Sequence, residues 1–306
     1  MADAATVRRV LARACPDRTP NRIEPARRGN TKRTYLVEDG AGGVVVQLSE
    51  RPEPLRVEAA LARAVRQRTS VPVPGVLAVG TLDSFGYLVV ERAPGTDLHE
   101  RFTGLAAAEQ RAVARAFGGW LAACHETFDF AGHGRLSLAD GQLVAPDTDV
   151  SAWYESYLRD GLDALPTPLA ALREPIAAAA SPPATATAVL FPWDLRPGNA
   201  LYENGVTAVL DWGEPLAAPA ALSAAKTEYL VCDWYVEEPA PLRAAFRAGY
   251  RDVRPWPDPS RTDRLVAVVR SAVDADGVVT RPGYPEQTGE TAVAFHCERL
   301  RSLLDM

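Results

Sequence analysis

Apolar and polar positions follow two different periods, and the change of period divides the chain into two parts. In the first part, short apolar runs alternate with glycine-containing turns, which is typical of antiparallel strands. Two stretches of this part instead carry apolar residues at helical spacing. The predicted elements are a helix at 6–14, strands within 16–50, a helix at 56–69, and strands at 75–82 and 86–93. The first part is therefore predicted to be a small antiparallel sheet with one main helix.

The pattern becomes mainly helical after Pro94 and Gly95, which mark a connection. Val113, Phe117 and Leu121 form a continuous apolar stripe in the first helix of this second part. The predicted helices lie at 104–128, 150–165, 169–180, 240–253, 260–276 and 288–304. Only one clear β signal interrupts them, and it is the stretch LFPWDLRPGNALYENGVTAVLDW at 190–212.

That stretch is predicted to be a hairpin with chemistry at its base. Asn204 and Gly205, flanked by apolar runs, are a strong signal for a two-residue turn. Asp194 and Asn199 precede the first strand, and Asp211 follows the second. Because a hairpin brings its two ends together, two carboxylates and a carboxamide meet at one place. Phosphoryl transfer needs such a set, with one carboxylate for the attacking hydroxyl and the others for Mg²⁺. The alternative is that all three are ordinary turn and capping residues.

The segment WDLRPGNALYENGVTAVLDW resembles the catalytic loop and metal-binding hairpin of the aminoglycoside phosphotransferase and choline kinase family. This family is the small-molecule branch of the protein-kinase-like fold. The likeness continues in order through most of residues 25–212. RRGNTKRTYLVED resembles the turn over the nucleotide phosphates, VEAALARAV the N-lobe helix, and YLVVERAPGTDL the hinge. The C-terminal third is similar only in its helical character.

The resemblance implies an α+β, bilobal protein-kinase-like fold. A small antiparallel-sheet N-lobe at 1–92 would cover the nucleotide, and a larger, mainly helical C-lobe at 93–306 would carry catalysis and bind the acceptor. The implied activity is that of an ATP- and Mg²⁺-dependent phosphotransferase, a kinase acting on a hydroxyl of a small molecule.

The resemblance also implies site residues. Asp194 would be the catalytic base or orienting carboxylate, with Arg196 in the same loop, and Asn199 and Asp211 would be the metal ligands. The implied nucleotide-binding residues are Gly29, Asn30, Thr31, Lys32, Gln47, Glu58, Glu91, Arg92 and Ala93.

The sequence departs from the family at two places. Pro192 and Trp193 stand where the family has His-Gly, which puts a large ring beside the acceptor site. Gln47 stands at the position of the phosphate-contacting lysine, and a neutral amide cannot form an ion pair with Glu58. Lys32 or Arg33 substituting from the turn is one alternative. The other is a pseudokinase that binds nucleotide or ligand without turnover.

The composition of the chain excludes some classes of function. The chain has 306 residues, 47% of them hydrophobic and 24% charged, which is typical of a soluble globular protein. A net charge of −6 argues against a nucleic-acid surface. No apolar run of about 18 residues and no signal-peptide pattern occurs, so a cytoplasmic protein with no membrane association is expected.

The same charge balance bears on the acceptor. An acidic surplus attracts cations, so a positively charged acceptor stays open, and the oligomeric state stays open as well. The acidic residues considered for attracting it are Glu214, Asp233, Glu237 and Glu238.

Overall fold

An antiparallel sheet forms most of the N-terminal part of the chain. The computed structural model describes residues 4–26, 32–40, 42–274, 276–283 and 285–306. Five strands pair in the order β1-β2-β3-β5-β4. The strands are β1 Arg22–Pro25, β2 Arg33–Glu38, β3 Val44–Ser49, β4 Val76–Leu82 and β5 Phe85–Glu91, and the helices beside them are α1 Ala4–Ala14 and α2 Pro52–Arg68. The strands predicted here and both helices are confirmed.

Alternation along β3 decides which face of this sheet is covered. Val44, Val46 and Leu48 are buried in one cluster with the apolar face of α1. The residues between them, among them Gln47 and Ser49, belong to the opposite face because successive strand residues point to opposite sides. The sheet therefore keeps one face for α1 and turns the other toward α2 and the rest of the molecule.

The second part of the chain is built mainly from helices around a large apolar core. They are α3 Leu98–Arg101, α4 Ala107–Thr127, α5 Val150–Ala164, α6 Arg173–Ala179, α7 Ala220–Glu228, α8 Ala240–Arg251, α9 Arg261–Val269 and α10 Gly289–Leu304. All of them lie beyond residue 92, where the lobe boundary was predicted. Within the described residues, no helix is both long and apolar enough to cross a membrane.

Short strands run between these helices and form small sheets in the orders β7-β11-β14-β8, β13-β12-β6, β9-β10 and β15-β16. They are β6 Thr96–Asp97, β7 Asp129–Phe130, β8 Gly134–Arg135, β9 Ser137–Ala139, β10 Gln142–Val144, β11 Ala188–Phe191, β12 Ala200–Tyr202, β13 Val206–Val209, β14 Leu216–Pro219, β15 Thr280–Arg281 and β16 Gln287–Thr288. The prediction of a single β signal in this part was wrong. Strands of two to four residues are too short to show alternation.

Three helical predictions also need correction. The helix predicted at 169–180 begins as a 3-10 helix, Thr167–Leu172, before α6. The helix predicted through residue 276 ends at Val269, and the side chain of Asp274 then accepts hydrogen bonds from two backbone N–H groups of a turn. Helix α7 was missed because its polar residues are buried together with its apolar ones, so its sequence shows no amphipathic period.

Candidate active site

The predicted hairpin is present and holds the base of the loop together. Strand β11 leads into residues 192–199, and β12 and β13 follow as an antiparallel pair. Asn204 and Gly205 both take positive φ angles, 57° and 148°, at the turn. The N–H of Leu210 donates to the carbonyl of Asn199 at 2.7 Å. This bond joins the two ends of the hairpin and places Asp211 beside the loop that carries Asp194.

Asp194 is held by two partners from its own loop. Asn199 Nδ2 donates to Asp194 Oδ2 at 2.9 Å, and Arg196 Nε lies 2.9 Å from Asp194 Oδ1. Burial favours the neutral acid, but the charges of Arg196 and Lys226 and the hydrogen bond from Asn199 outweigh it and lower the pKa of Asp194. The carboxylate is therefore ionised at neutral pH and fixed in position.

Asp211 follows the hairpin in a left-handed backbone conformation, with φ of 57°. Its side chain is 48% exposed, and its Oδ1 accepts from Lys32 Nζ at 2.9 Å. Lys32 Nζ also contacts both oxygens of the buried Glu58, at 2.7 and 2.9 Å. Burial opposes the charge on Lys32, but Glu58 and Asp211 outweigh that effect and raise its pKa. A carboxylate–ammonium–carboxylate chain thus links α2 to the hairpin.

Lys32 supplies the positive charge that Gln47 lacks. Lys32 directly precedes β2, and Thr34 of β2 lies opposite Gln47 of β3. Side chains two residues apart in a strand share a face, so Lys32 lies on the same side of the sheet as Thr34. It therefore also lies on the same side as Gln47, the residue opposite Thr34. Gln47 Oε1 is buried without a hydrogen-bond partner among the described residues. The ammonium group that pairs with Glu58 therefore comes from the start of β2.

The remaining predicted nucleotide-binding residues divide into two groups. Glu91, Arg92 and Ala93 lie at the end of β5, where Glu91 Oε2 accepts from the Gly75 N–H at 2.8 Å and Arg92 Nη1 lies 3.5 Å from Glu38. They are not among the described residues that line the cavity. Gly29, Asn30 and Thr31 lie outside the described residues.

A cavity of about 800 Å³ opens between the sheet and the helical part. Six of the predicted site residues line it, from both parts of the chain. They are Lys32, Glu58, Asp194, Arg196, Asn199 and Asp211. Further lining residues were not predicted, among them Arg51, Lys226, Trp234, Arg270 and Ser271.

Lys226 is the most informative of the missed residues. It is 2% exposed, and its Nζ donates to the Trp193 carbonyl at 2.7 Å and lies 3.9 Å from the centre of the Trp193 ring. Burial lowers the pKa of Lys226 to about 7, with Asp194 opposing the shift and Arg196 and Arg270 adding to it. A signal for it was present in the composition, because Lys32 and Lys226 are the only lysines in the chain.

Trp193, which stands where the family has glycine, forms part of the cavity wall. Its ring meets Tyr157 edge-on at 5.9 Å, and Arg270 Cζ lies 5.1 Å from the ring centre. Aromatic and cationic neighbours therefore surround the residue immediately before Asp194. The large ring is packed and does not project freely.

Of the four acidic residues that could attract a cationic acceptor, only Glu214 lines the cavity. Glu214 forms an ion pair with Arg135, and the buried Asp233 accepts from Arg243 Nε at 3.0 Å. Glu237 and Glu238 are exposed and are not among the described lining residues of the cavity.

The oxygen donors suit a hard cation such as Mg²⁺. Asn199 Nδ2 donates to the carbonyl and the carboxylate of Asp194, which leaves its Oδ1 uncommitted, and Asp211 presents a half-exposed carboxylate. Within the described part of the chain, no three His, Cys, Asp or Glu side chains group as a complete metal site. Mg²⁺ needs no such cage, because it commonly takes one or two protein oxygens and completes its shell with phosphates and water.

Comparison with known proteins places these residues in a family context. The sequence model of a family described as "Phosphotransferase enzyme family" matches residues 22–263. None of the curated proteins compared with the sequence gives a significant match.

Solved structures give the second comparison. The aminoglycoside phosphotransferase APH(4)-Ia superposes with a TM-score of 0.67 at 17% identity, covering 99% of each chain. A thermostable mutant of that protein, in a ternary complex with AMP-PNP and hygromycin B, gives a TM-score of 0.66 at 17% identity, covering 99% of this chain and 98% of that one. The GDP complex of aminoglycoside 2'-phosphotransferase-IIIa gives 0.61 at 12% identity, covering 99% of both.

Proposed function

The chain belongs to the phosphotransferase enzyme family and has its α+β, bilobal protein-kinase-like fold, and from this premise we propose that it is an ATP- and Mg²⁺-dependent kinase for a hydroxyl of a small molecule. The observation that carries the proposal is the convergence of Asp194, Asn199 and Asp211 with the Lys32–Glu58 pair on one cavity. These residues come from three separate parts of the chain. Stability alone does not require such a set of charges at the wall of a cavity.

Asp194 has the properties of a base or orienting carboxylate. It is ionised and fixed by Arg196 and Asn199. A hydroxyl that donates a hydrogen bond to Asp194 would be aligned for attack on the γ-phosphoryl group, and its proton would pass to this carboxylate. Arg196 would also balance negative charge on the transferring group.

The sheet part of the chain, at 1–92, would cover the nucleotide. Lys32 would contact the phosphates while Glu58 holds its ammonium group in place. Gly29, Asn30 and Thr31 would form the turn over the phosphates, and the segment 91–93 would adjoin the base. In a relative of the same fold, the complex with AMP-PNP gives a precedent for an ATP analogue.

Asn199 and Asp211 would hold Mg²⁺ through their side-chain oxygens. When bound, the ion would neutralise phosphate charge. Asp211 presently accepts from Lys32, so the same carboxylate would face both the ion and the ammonium group. The half-exposed position of Asp211 leaves room for this.

A protein that binds nucleotide without turnover was the alternative. It rested on Gln47, Pro192 and Trp193. The Lys32–Glu58 contact weakens the argument from Gln47, because Lys32, just before β2, brings a positive charge to Glu58. The argument from Trp193 concerns the shape of the acceptor site and leaves Asp194 ionised.

Nucleotide binding and turnover test the proposal separately. AMP-PNP with Mg²⁺ should raise the melting temperature of the wild type, and Asp211→Asn should remove the Mg²⁺-dependent part of that rise. Asp194→Asn should keep the rise but lower ATP consumption with an active acceptor by at least about 100-fold, the usual size of a general-base effect. Equal protection of wild type and Asp211→Asn would contradict the metal assignment. Binding without ATP consumption across hydroxyl compounds of every charge class would favour the pseudokinase.

A further inference from the structure

The cavity continues past Asp194 to a wall that the nucleotide residues do not explain. Arg51, which follows β3, and Arg270 and Ser271, which follow α9, line this wall. Neither arginine has a carboxylate within ion-pair distance in the part of the chain that the structure describes. Two guanidinium groups therefore line the cavity without forming an ion pair among the described residues.

Arg270 is held in place by its surroundings. A Cβ on Gly161 would lie 2.6 Å from Arg270 Cδ, so the side chain runs directly over that glycine. Its Cζ lies 4.4 Å from the centre of the Tyr157 ring and 5.1 Å from that of Trp193. Cation–π contacts fix the guanidinium without neutralising it. The cation is preorganised, which lowers the cost of binding a ligand.

Ser271 adds an independent observation. It is 6% exposed, lines the cavity, and its Oγ has no hydrogen-bond partner among the described residues. Arg270 Nε is likewise buried and without a partner. Buried polar groups are nearly always satisfied in folded proteins. An unpaired hydroxyl and an unpaired guanidinium N–H on two consecutive lining residues therefore indicate a missing partner that accepts hydrogen bonds.

A third arginine near this wall already pairs with a lining carboxylate. Arg135 lies near the same wall, where burial and the charges of Arg51 and Arg270 lower its pKa. Its own carboxylate partner is Glu214, which lines the cavity. Glu214 is therefore already paired and, among the residues that the structure describes, does not form an ion pair with Arg51 or Arg270.

Two other acidic groups of the wall, Asp274 and Glu286, do not contact these arginines in the described part of the chain. Asp274 Oδ1 accepts from the N–H groups of Asp276 and Val278, at 2.9 and 2.8 Å, and so caps a turn. Glu286 is exposed at the rim of the cavity. Neither forms an ion pair with Arg51 or Arg270 among the described contacts.

We propose that the acceptor carries an anionic group, a carboxylate or a phosphate, that binds between Arg51 and Arg270 and accepts a hydrogen bond from Ser271, while its hydroxyl reaches Asp194. This inference rests on the proposed kinase function. A guanidinium offers paired N–H donors that match either anion. The two arginines favour an anionic acceptor over the cationic acceptor that the acidic surplus of the sequence left open.

Calorimetric titration of two small anions tests the site. Inorganic phosphate and malonate are titrated separately into protein saturated with AMP-PNP and Mg²⁺, so that the nucleotide occupies its own phosphate subsite. At least one of the two should bind the wild type, and the stronger one identifies the class. Arg51→Gln and Arg270→Gln should each weaken that binding by about tenfold or more, the usual effect of losing a charged hydrogen bond. Arg159→Gln, an exposed arginine of α5, is the matched control and should bind as the wild type does.

Three results would overturn the proposal: no binding of either anion, equal binding in the wild type and in both arginine variants, or tighter binding of ethanolamine than of both anions. Because Arg51 is exposed, Arg51→Gln keeps the test usable if Arg270→Gln does not fold. Failure of the kinase proposal is recognised by a separate measurement, the effect of AMP-PNP on the melting temperature. If the nucleotide does not bind, the titrations are run without it. Loss of anion binding in Arg270→Gln and not in Lys32→Met still supports the site, and the reverse result overturns it.

Discussion

At the scale of single residues, the two lysines of the chain carry much of the site's electrostatics. Lys32 bridges Glu58 and Asp211, and Lys226 lies under Trp193 beside Asp194. The remaining basic side chains are arginines and histidines. An ammonium group is a compact point charge that can approach two carboxylates at once. This property explains how Lys32 can replace a lysine expected on the neighbouring strand.

Exchanging the residues at 32 and 47 tests this replacement. Lys32→Gln should weaken AMP-PNP binding by about tenfold or more, because the phosphates lose a charged donor and Glu58 loses its partner. Adding Gln47→Lys should recover part of the affinity, since that position reaches the same side of the sheet. Arg33→Gln is the control and should match the wild type, because Arg33 pairs only at 3.9 Å with the exposed Glu50. A double variant no better than Lys32→Gln alone would contradict the exchange.

Lys226 predicts a dependence of stability on pH. Its folded-state pKa is about 7, below the ordinary value of 10.5, so between these values the unfolded chain binds a proton that the folded chain has lost. Its contribution to the free energy of unfolding therefore rises as the pH rises from about 7 toward 10.5. Subtracting the curve of Lys226→Met, measured by chemical denaturation, should isolate this rise. A wild-type minus variant difference that stays flat across that window would show that Lys226 is not perturbed.

At the scale of elements, the close packing of α4 against α8 supports the helical part of the molecule. A Cβ on Gly118 of α4 would lie 2.0 Å from the Phe246 carbonyl oxygen, which belongs to α8. The neighbouring Gly119 is not so confined, since its Cβ would lie 3.4 Å from the Gly249 oxygen. The close approach of the two backbones therefore requires glycine at position 118 and not at position 119. Helix α4 also carries His125, which hydrogen-bonds to Ser223 of α7.

The two glycines of α4 make a matched pair. Gly118→Ala should lower the free energy of unfolding by about 3 kcal/mol or more, because the added methyl group forces the two helices apart. Gly119→Ala should change it by no more than about 1 kcal/mol, and in the stabilising direction, because alanine has the higher helix propensity. Urea denaturation of both variants measures the difference. Similar effects of the two substitutions would mean that α4 and α8 are not in backbone contact at Gly118.

At the scale of the whole molecule, buried histidines connect elements that are far apart in sequence. His125 hydrogen-bonds to Tyr250 at 2.8 Å, and His296 of α10 lies 3.0 Å from the Tyr229 hydroxyl and 2.9 Å from the Thr280 carbonyl. Burial lowers the pKa of His125 to about 3 and that of His296 to about 4.

These histidines predict the response of the fold to acid. Both stay neutral in the folded chain, while in the unfolded chain they take a proton below their ordinary pKa of 6.5. Their contribution to stability is therefore present above pH 6.5 and is lost as the pH falls toward 4 and then 3. His296→Gln, which keeps hydrogen-bonding groups but does not titrate, should flatten the fall in the free energy of unfolding between pH 6.5 and about 4. An unchanged slope would exclude His296 as a contributor.

Local features were predictable because their causes lie within a few residues. The helical stripe of α4 and the turn at Asn204 and Gly205 are present as the pattern predicted. The expectation of phosphoryl transfer came from Asp194, Asn199 and Asp211 meeting at the base of the hairpin, and their roles stay a proposal. Helix α7 and the strands of two to four residues escaped prediction, because burial on all sides or shortness removes the period that a sequence pattern needs.

The sequence by itself determined the family, the hairpin, and the three polar residues at its base, since each is encoded by residue types at short spacing. Only the tertiary structure decided which residue pairs with Glu58, because Lys32, just before β2, and position 47 of the adjacent β3 reach the same side of the sheet. It also decided that Lys226 and Arg270 meet at Trp193. These contacts join residues tens of positions apart. The free energy of these contacts depends on burial and on the distance between charges, and a local sequence pattern contains neither.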